Sequence, residues 1–207
     1  MDIKIRKASP LQIKTSCMVI GVCEKSFSKP LLKELDQKLG GLVRKAQRSG
    51  EFSAKVDEQI LFQPAGHLPA ERVLLVGLGP AEEITAEKVR RAAGQAIQLV
   101  AEKKFGQMAL ALPDSIKGNL FATLVEAAAE GLLLASYRYD QFLDEKIKAL
   151  RKLPKTVTLV IDAEEDKKIS EAAVAKAQML CQAVFLTRDL VNTPGNIKSP
   201  DFLAEQA

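Results

Sequence analysis

The sequence is poor in the side chains that most often build metal and redox sites. It has one histidine, three cysteines and no tryptophan. The single imidazole, His67, excludes any site made from several histidines, and three scattered cysteines without a CxxC pair do not form a structural zinc cluster. An odd cysteine count is also a poor disulfide framework, so Cys17, Cys23 and Cys181 are predicted to be buried thiols.

Long apolar runs and strong net charge are also lacking. No apolar run reaches about 18 residues, and residues 1–6 lack the apolar stretch of a signal peptide. The net charge of +4, from 30 basic and 26 acidic residues, is too small to imply nucleic-acid binding by itself. We therefore expect a cytoplasmic protein with no membrane partner. The hydrophobic fraction of 47% is sufficient to build a full core.

Hydrophobic periodicity alternates between strand and helix along the chain. Strands are predicted over residues 3–5, 11–23, 59–62, 72–77, 108–112 and 155–162, and the first two are expected to be neighbours. The unbroken apolar run in 72–77 predicts an interior strand buried on both faces. Helices are predicted over 29–48, 89–100, 121–135 and 165–191, with a weak point at Gly40–Gly41 in the first. This order predicts the α/β class, with helices covering a mainly parallel or mixed sheet within residues 1–163.

The last long helix has two open interpretations. At 1.5 Å per residue, about 27 residues would span about 40 Å, so the helix either packs on the sheet or forms an arm between two domains. Its length favours the arm. Its predicted apolar stripe is Ile169, Ala173, Ala177, Leu180 and Val184. Beyond the stripe's first half, we expect exposed apolar side chains at Val184, Phe185, Leu190 and Val191.

The end of the sequence begins another helix. Ser199 is a suitable N-cap, Pro200 suits the first helical turn, and Asp201 suits the positive end of the helix dipole. The pattern stops after about two turns, and isolated helices that short are marginal. We therefore expect the sequence to stop inside a longer protein.

The turn Gly77–Leu78–Gly79 lies between a predicted strand and a predicted helix, where glycines let backbone amides approach a phosphate. The third glycine of a dinucleotide fingerprint is replaced by Glu82, and Glu83 follows it, so two carboxylates would repel phosphate. A tight strand-to-helix turn is the favoured interpretation. His67, in the loop before the central strand, could be a general base but is more typical of a surface residue.

Several acidic residues could be paired carboxylates for acid–base chemistry, but a solvated helix face followed by an acidic turn is favoured. They are Glu126, Glu130, Asp140, Asp144 and Glu145. The segment 136–140 holds both tyrosines beside an arginine and is predicted to cap a helix end through amphipathic packing. The sequence contains no GxSxG, P-loop or HExxH motif, so we assign no catalytic, cofactor-binding or metal-binding residue.

Three stretches together resemble the amino-terminal part of the leucyl aminopeptidase (cytosol aminopeptidase) family. Residues 187–196, Thr-Arg-Asp-Leu-Val-Asn-Thr-Pro-Gly-Asn, followed by Ser-Pro-Asp-Phe-Leu-Ala at 199–204, are similar to the family's segment at the junction of its two domains. Residues 130–140 resemble a helix end of the family's amino-terminal domain. Residues 72–79 resemble its central strand and turn.

The resemblance implies a macro-domain-like sheet flanked by helices over residues 1–163, a connecting helix over 164–192 and the start of a catalytic domain over 193–207. In the parent protein it implies release of amino-terminal residues from peptides, with two divalent metal ions, zinc or manganese, polarising the carbonyl and activating water. It also implies a homo-hexamer. The family's metal-binding stretch is absent from these residues, so no ligand or catalytic residue is carried over, and the chain alone is predicted to be inactive.

Two other functions remain open from the sequence. One is a macro-type module that binds ADP-ribose or a nucleotide at the Gly77–Leu78–Gly79 turn. The other is an accessory DNA-binding domain, which the resemblance implies because some members of that family bind DNA. This function requires the basic residues to converge on one face. These residues are Lys33, Lys38, Arg44, Lys45, Arg48, Lys88, Arg90 and Arg91.

Overall fold

A six-stranded sheet forms the centre of the computed structural model, which describes residues 1–113, 119–161 and 166–206. Its strands are β1 (Asp2–Lys7), β2 (Cys17–Val22), β3 (Gln59–Phe62), β4 (Val73–Gly77), β5 (Met108–Ala111) and β6 (Thr156–Ile161). Their order across the sheet is β1-β6-β5-β2-β4-β3, and every neighbouring pair is parallel except β3 with β4. The predicted α/β class is confirmed, and β4 is an interior strand as expected.

The helices follow the predicted order. They are α1 (Pro30–Lys38), α2 (Leu42–Ser49), α3 (Ala86–Glu102), α4 (Asn119–Ser136), α5 (Glu145–Lys148), α6 (Asp166–Asn192) and α7 (Pro200–Gln206). The weak point in the first predicted helix is a break between α1 and α2, where Gly40 and Gly41 have φ values of +63° and +84°. Only glycine adopts such angles at low cost. The ends of the predicted strand 155–162 and helix 165–191, at residues 162 and 165, lie outside the described residues. So do residues 162–165 and 207 of the predicted domain divisions.

The prediction that the first two strands are neighbours is wrong. β1 pairs with β6 at the sheet edge, whereas β2 lies between β5 and β4. The two positions between β1 and β2 are filled by β5 and β6, which come much later in the sequence, so adjacency along the chain does not make the first two strands neighbours. Residues 8–16, which include a short 3₁₀ turn and the buried Leu11 and Ile13, carry the chain past these two strand positions.

The sheet has apolar side chains on both faces because each strand alternates. On β2, Cys17 and Val19 pack in one cluster with α3, α4 and α6, whereas Met18 and Ile20 pack in the other with α1 and α2. All three cysteines are buried thiols outside any disulfide, as predicted. Burial raises the pKa of the Cys17 thiol to about 12, against the opposing effect of the Arg72 charge, so this thiol is an inert part of the core.

The buried stripe of α6 agrees only in part with the one expected from the sequence, because Ala173 and Ala177 are buried as predicted but the other three positions are not. Its buried residues are Ser170, Ala173, Val174, Ala177 and Cys181. The predicted positions Ile169, Leu180 and Val184 are exposed instead. Small side chains allow α6 to approach α4 and β1 closely, so the helix turns its larger apolar residues outward.

Helix α7 begins where the sequence predicted. The Ser199 hydroxyl accepts a hydrogen bond from the Phe202 backbone amide at 3.2 Å, which is the expected N-cap. Thr85 caps α3 in the same way by accepting from the Lys88 amide. No helix in the described part of the chain combines the length and apolar character needed to cross a membrane.

Candidate functional site

The turn after β4 uses its backbone amides within the fold. The amide of Gly77 donates to the Glu58 carbonyl, that of Leu78 to the Val22 carbonyl and that of Gly79 to the Ala54 carbonyl, each at 2.9 Å. A phosphate site at a strand-to-helix turn requires free, converging amides. These amides are already engaged, and the tight turn favoured from the sequence is confirmed.

The space beside this turn is also filled. A Cβ on Gly77 would lie 1.9 Å from the Lys55 carbonyl oxygen, so Gly77 serves a close backbone contact rather than a ligand. The crevice at the carboxyl ends of β2, β4 and β5 retains only about 10 Å³ and is lined by apolar residues that include Leu78, Val89 and Leu112. Ligands of open α/β sheets bind in such crevices. The geometry of this turn therefore gives no support to the hypothesis of ADP-ribose or nucleotide binding there, which stays an untested prediction.

The loop that covers the turn is organised by one carboxylate, Glu58. Its Oε2 accepts from the Ser53 amide at 2.7 Å and the Lys55 amide at 3.1 Å, and its Oε1 accepts from the Ser53 hydroxyl at 3.0 Å. Partial burial by itself would raise the pKa of Glu58, but these hydrogen bonds favour the charged form and leave the pKa lower than usual.

Replacing Glu58 by glutamine should make the protein less stable, by about 1 kcal/mol at neutral pH, because charge-assisted hydrogen bonds to two amides are weakened. The pKa of Glu58 is lower in the folded protein, so its contribution is complete above the unfolded-state pKa and is lost as pH falls through the folded-state pKa. Urea unfolding at a series of pH values should show the gap between wild type and Glu58→Gln closing below about pH 4.5. The control Glu51→Gln, at an exposed position, should show no gap.

Most of the carboxylates considered for acid–base chemistry form ion pairs or cap a helix. Glu130 pairs with Arg90 of α3 at 2.6 Å, and Glu126 pairs with Lys176 of α6 at 2.8 Å. Both glutamates are mostly buried rather than on a solvated helix face, which corrects the sequence interpretation at these two positions. Asp144 accepts from the Lys146 amide at 2.7 Å and caps α5, as an acidic turn would.

No metal site is formed by the part of the chain that the structure describes. His67 is exposed in its loop, as the sequence favoured. Among residues 1–113, 119–161 and 166–206, no three histidine, cysteine, aspartate or glutamate side chains converge to hold a metal ion. The described residues therefore do not fit the divalent ions that the family resemblance implies for the parent protein.

The basic residues considered for DNA binding fall on opposite sides of the sheet. Arg44, Lys45 and Arg48 lie together on α2. The cations of α3 are engaged in ion pairs on the other side: Lys88 with Glu83, Arg90 with Glu130 and Arg91 with Asp57. The two groups do not form one basic face, so the convergence required for the DNA hypothesis is not met.

Two segments singled out in the sequence come together at the ends of α4 and α6. The Tyr137 hydroxyl, just after α4, donates to Asp189 Oδ1 at 2.8 Å and accepts from Asn192 Nδ2 at 3.1 Å. Burial raises the pKa of Tyr137, and its hydrogen bond to the Asp189 carboxylate raises it further. The phenol therefore stays protonated and can keep donating this bond.

Ring contacts and a guanidinium add to this cluster. The ring of Phe185 stacks on that of Tyr137 with centroids 5.4 Å apart. The Arg188 guanidinium lies 5.2 Å from the Tyr137 centroid and donates to the Leu134 carbonyl at 3.3 Å. We name Tyr137, Phe185, Arg188, Asp189 and Asn192 the docking cluster. It fixes the second half of α6 against the end of α4.

Both segments stand out in the sequence, but their contact was not predicted from it. The prediction that residues 136–140 cap a helix through amphipathic packing is confirmed, because the Ser136 hydroxyl donates to the Leu133 carbonyl at 2.7 Å and Tyr137 packs on Phe185. The feature of the sequence that could have indicated this contact is the presence of aromatic and ionisable residues at the end of each of two apolar helices. Pairing them requires knowing that α4 and α6 are neighbours.

Opposite the docking cluster, α6 carries exposed apolar side chains. Met179 and Val191 are 72% and 71% exposed, and Leu180, Val184 and Leu186 are also exposed. We name these five residues the outer stripe. Exposure was correctly expected at Val184 and Val191. It was wrong at Phe185 and Leu190, which are half-buried; Phe185 is covered because its ring stacks on Tyr137.

The described residues thus form an α/β domain in which clusters of polar side chains hold α3, α4 and α6 against one another. Apolar side chains fill the crevice at the carboxyl ends of its parallel strands. This architecture defines the class of α/β domains with a mostly parallel sheet flanked by helices. The chain belongs to the cytosol aminopeptidase family, because the family's N-terminal domain model matches residues 19–146. The resemblance noted from the sequence is confirmed.

Sequence relatives cover the chain from end to end. A probable cytosol aminopeptidase of Syntrophotalea carbinolica is 39% identical over 207 residues, which is 100% of this chain and 42% of the relative. A cytosol aminopeptidase of Pseudomonas aeruginosa is 31% identical over 212 residues, covering 100% of this chain and 41% of the relative. The chain therefore spans about two fifths of the length of these relatives.

Solved structures show the same fold. A mutant of tomato leucine aminopeptidase superposes with a TM-score of 0.81 at 24% identity, covering 99% of this chain and 41% of that one. The bottromycin maturation enzyme BotP, solved in complex with Mn, superposes with a TM-score of 0.66 at 24% identity and covers 93% of this chain and 35% of that one. Both comparisons match this chain to less than half of the other protein.

Proposed function

We propose that this chain is the non-catalytic amino-terminal domain of a cytoplasmic, metal-dependent aminopeptidase that releases amino-terminal residues from peptides. The family match over residues 19–146 carries this proposal. Relatives that align along the whole chain yet are more than twice as long support the presence of a further, catalytic domain in the parent protein. That domain would bind the divalent metal ions, zinc or manganese, which polarise the peptide carbonyl and activate water.

The domain organisation of the proposal is an α/β domain over residues 1–163, a connecting helix over 164–192 and the start of the catalytic domain over 193–207. Two features of α6 support this division. The docking cluster fixes the direction in which the helix leaves the α/β domain, and the outer stripe offers apolar surface that this domain does not cover. The boundary at residues 163 and 164 lies outside the described residues.

The role proposed for the domain is to position the catalytic part and to support its assembly into a homo-hexamer. A rigid helix held at both ends transmits the orientation of one domain to the next, whereas a flexible linker does not. The peptide substrates would bind only to the catalytic part. The ion pairs between α3, α4 and α6 contribute to this rigidity.

The proposal predicts that the purified 207-residue chain has no aminopeptidase activity. Hydrolysis of leucine p-nitroanilide with added Mn²⁺ or Zn²⁺ should stay at background. A chimera should be active if this chain replaces the aligned region of the Syntrophotalea carbinolica relative, because its docking cluster can position the catalytic part. Metal-dependent turnover that stays with the isolated chain through further purification would contradict the non-catalytic role, and an inactive but folded chimera would contradict the positioning role.

A further inference from the structure

One face of the sheet is only partly covered by helices. α1 and α2 pack over the face formed by Met18, Ile20 and Leu75, but β1 and β6 lie beyond them. Parallel sheets usually have both faces covered. Here the strands β1 and β6 present polar side chains on this face instead, and Lys4 lies beside Thr158 in the register of the two strands.

This uncovered face is concave and cationic. A depression of about 430 Å³ is lined by residues from β1, β6, the start of β5 and the loop before β2. Four of its lining residues are basic: Lys4, Arg6, Lys14 and Lys155. None of its lining residues is acidic, although Asp2 lies beside it and pairs with Lys4 at 3.8 Å.

The other three cations are available for a ligand. Arg6, Lys14 and Lys155 make no ion pair with any described residue, and all three are exposed. The threonine hydroxyls of Thr156 and Thr158 and the Gln107 amide line the same depression and can donate hydrogen bonds to oxygen anions. Several converging donors with one sign of charge define a site for an anion.

We propose that this concave face, centred on Lys4, Arg6, Lys14 and Lys155, binds a compact phosphorylated anion of the pyrophosphate class. The depression has the volume of a small-molecule site, and its four cations come from three separate parts of the chain that enclose it. A duplex nucleic acid instead requires basic residues along an extended surface. The site lies at the amino ends of β5 and β6, whereas the filled crevice lies at the carboxyl ends of the parallel strands.

The experiment is a calorimetric titration of the 207-residue chain with pyrophosphate at low ionic strength. The variant Lys4→Glu/Arg6→Glu should weaken binding by about tenfold or more, because two attractive charges become repulsive. The matched control Lys45→Glu/Arg48→Glu changes the net charge equally on exposed α2 and should bind like wild type. Circular dichroism and thermal unfolding check that every variant is folded.

A milder variant keeps the test valid if the charge reversal in β1 disturbs folding. Lys14→Gln/Lys155→Gln lies outside the strands, in the loop before β2 and just before β6, and should also weaken pyrophosphate binding severalfold. Equal weakening by the α2 control, or binding no tighter than that of sulfate, would show general charge attraction and overturn the proposal. A short DNA duplex that binds this face more tightly than pyrophosphate would also overturn it.

Discussion

Replacing Gly131 by alanine should destabilise the domain by about 3 kcal/mol or more, the upper range for an overpacked core. Gly131 lies in α4, where a Cβ would be 2.1 Å from the Arg90 carbonyl oxygen and 2.9 Å from its carbonyl carbon. These are backbone atoms of α3 and cannot rotate away, so the two helices would have to separate. Their contact buries Ile97, Leu124 and Leu132, which would lose packing.

Thermal unfolding measures this effect. For a domain of this size, about 1 kcal/mol corresponds to about 2–4 °C in Tm, so Gly131→Ala should lower Tm by about 10 °C. Gly94→Ala is the matched control, because it lies in α3 on the same helix contact but its Cβ would meet nothing closer than 3.4 Å. Helix propensity alone favours alanine there by about 1 kcal/mol. Equal Tm values for the two variants would contradict the close helix contact.

Replacing Tyr137 by alanine should release the second half of α6. The substitution removes the hydrogen bonds with Asp189 and Asn192, the stacking on Phe185 and the contact with the Arg188 guanidinium. Amide hydrogen exchange should therefore become about tenfold faster or more over residues 182–192, because local opening of the helix no longer has to break these contacts and costs less free energy. Residues 170–181 should keep their protection, since Ala173, Val174 and Ala177 remain buried.

Tyr139→Phe is the control for this experiment. The Tyr139 hydroxyl makes only long hydrogen bonds of 3.4 Å, to Thr193 and Gln141, so its loss should leave exchange over 182–192 nearly unchanged. The docking cluster also explains why the exposure expected at Phe185 in the second half of α6 is not observed. Fast exchange over 182–192 already in the wild-type chain would mean that the cluster does not hold α6 in solution.

The sequence predicted the elements well because their signals are local. The apolar positions of α3 recur at helical spacing, and Val89, Ala93 and Val100 are buried accordingly. The continuous apolar run in 72–77 predicted an interior strand, and β4 has neighbours on both sides. The break at Gly40–Gly41 and the N-cap at Ser199 also follow from local backbone chemistry.

The candidate sites were less predictable because their outcome depends on residues far away in sequence. Whether the Gly77–Leu78–Gly79 turn binds phosphate depends on carbonyls supplied by Val22, Ala54 and Glu58, which engage its amides. Whether Glu130 is solvated depends on Arg90, 40 positions earlier. Neither partner is marked by any local pattern.

By itself, the sequence determined the α/β class, the order of helices and strands, the buried thiols and the resemblance to cytosol aminopeptidases, because periodicity, capping and motifs are read within a few residues. Only the tertiary structure decided which strands are neighbours, which side of α6 is buried and which charges are engaged. Strand order depends on crossovers that bring distant segments together. The meeting of Tyr137 with Asp189, 52 positions later, depends on the packing of α6 against α4.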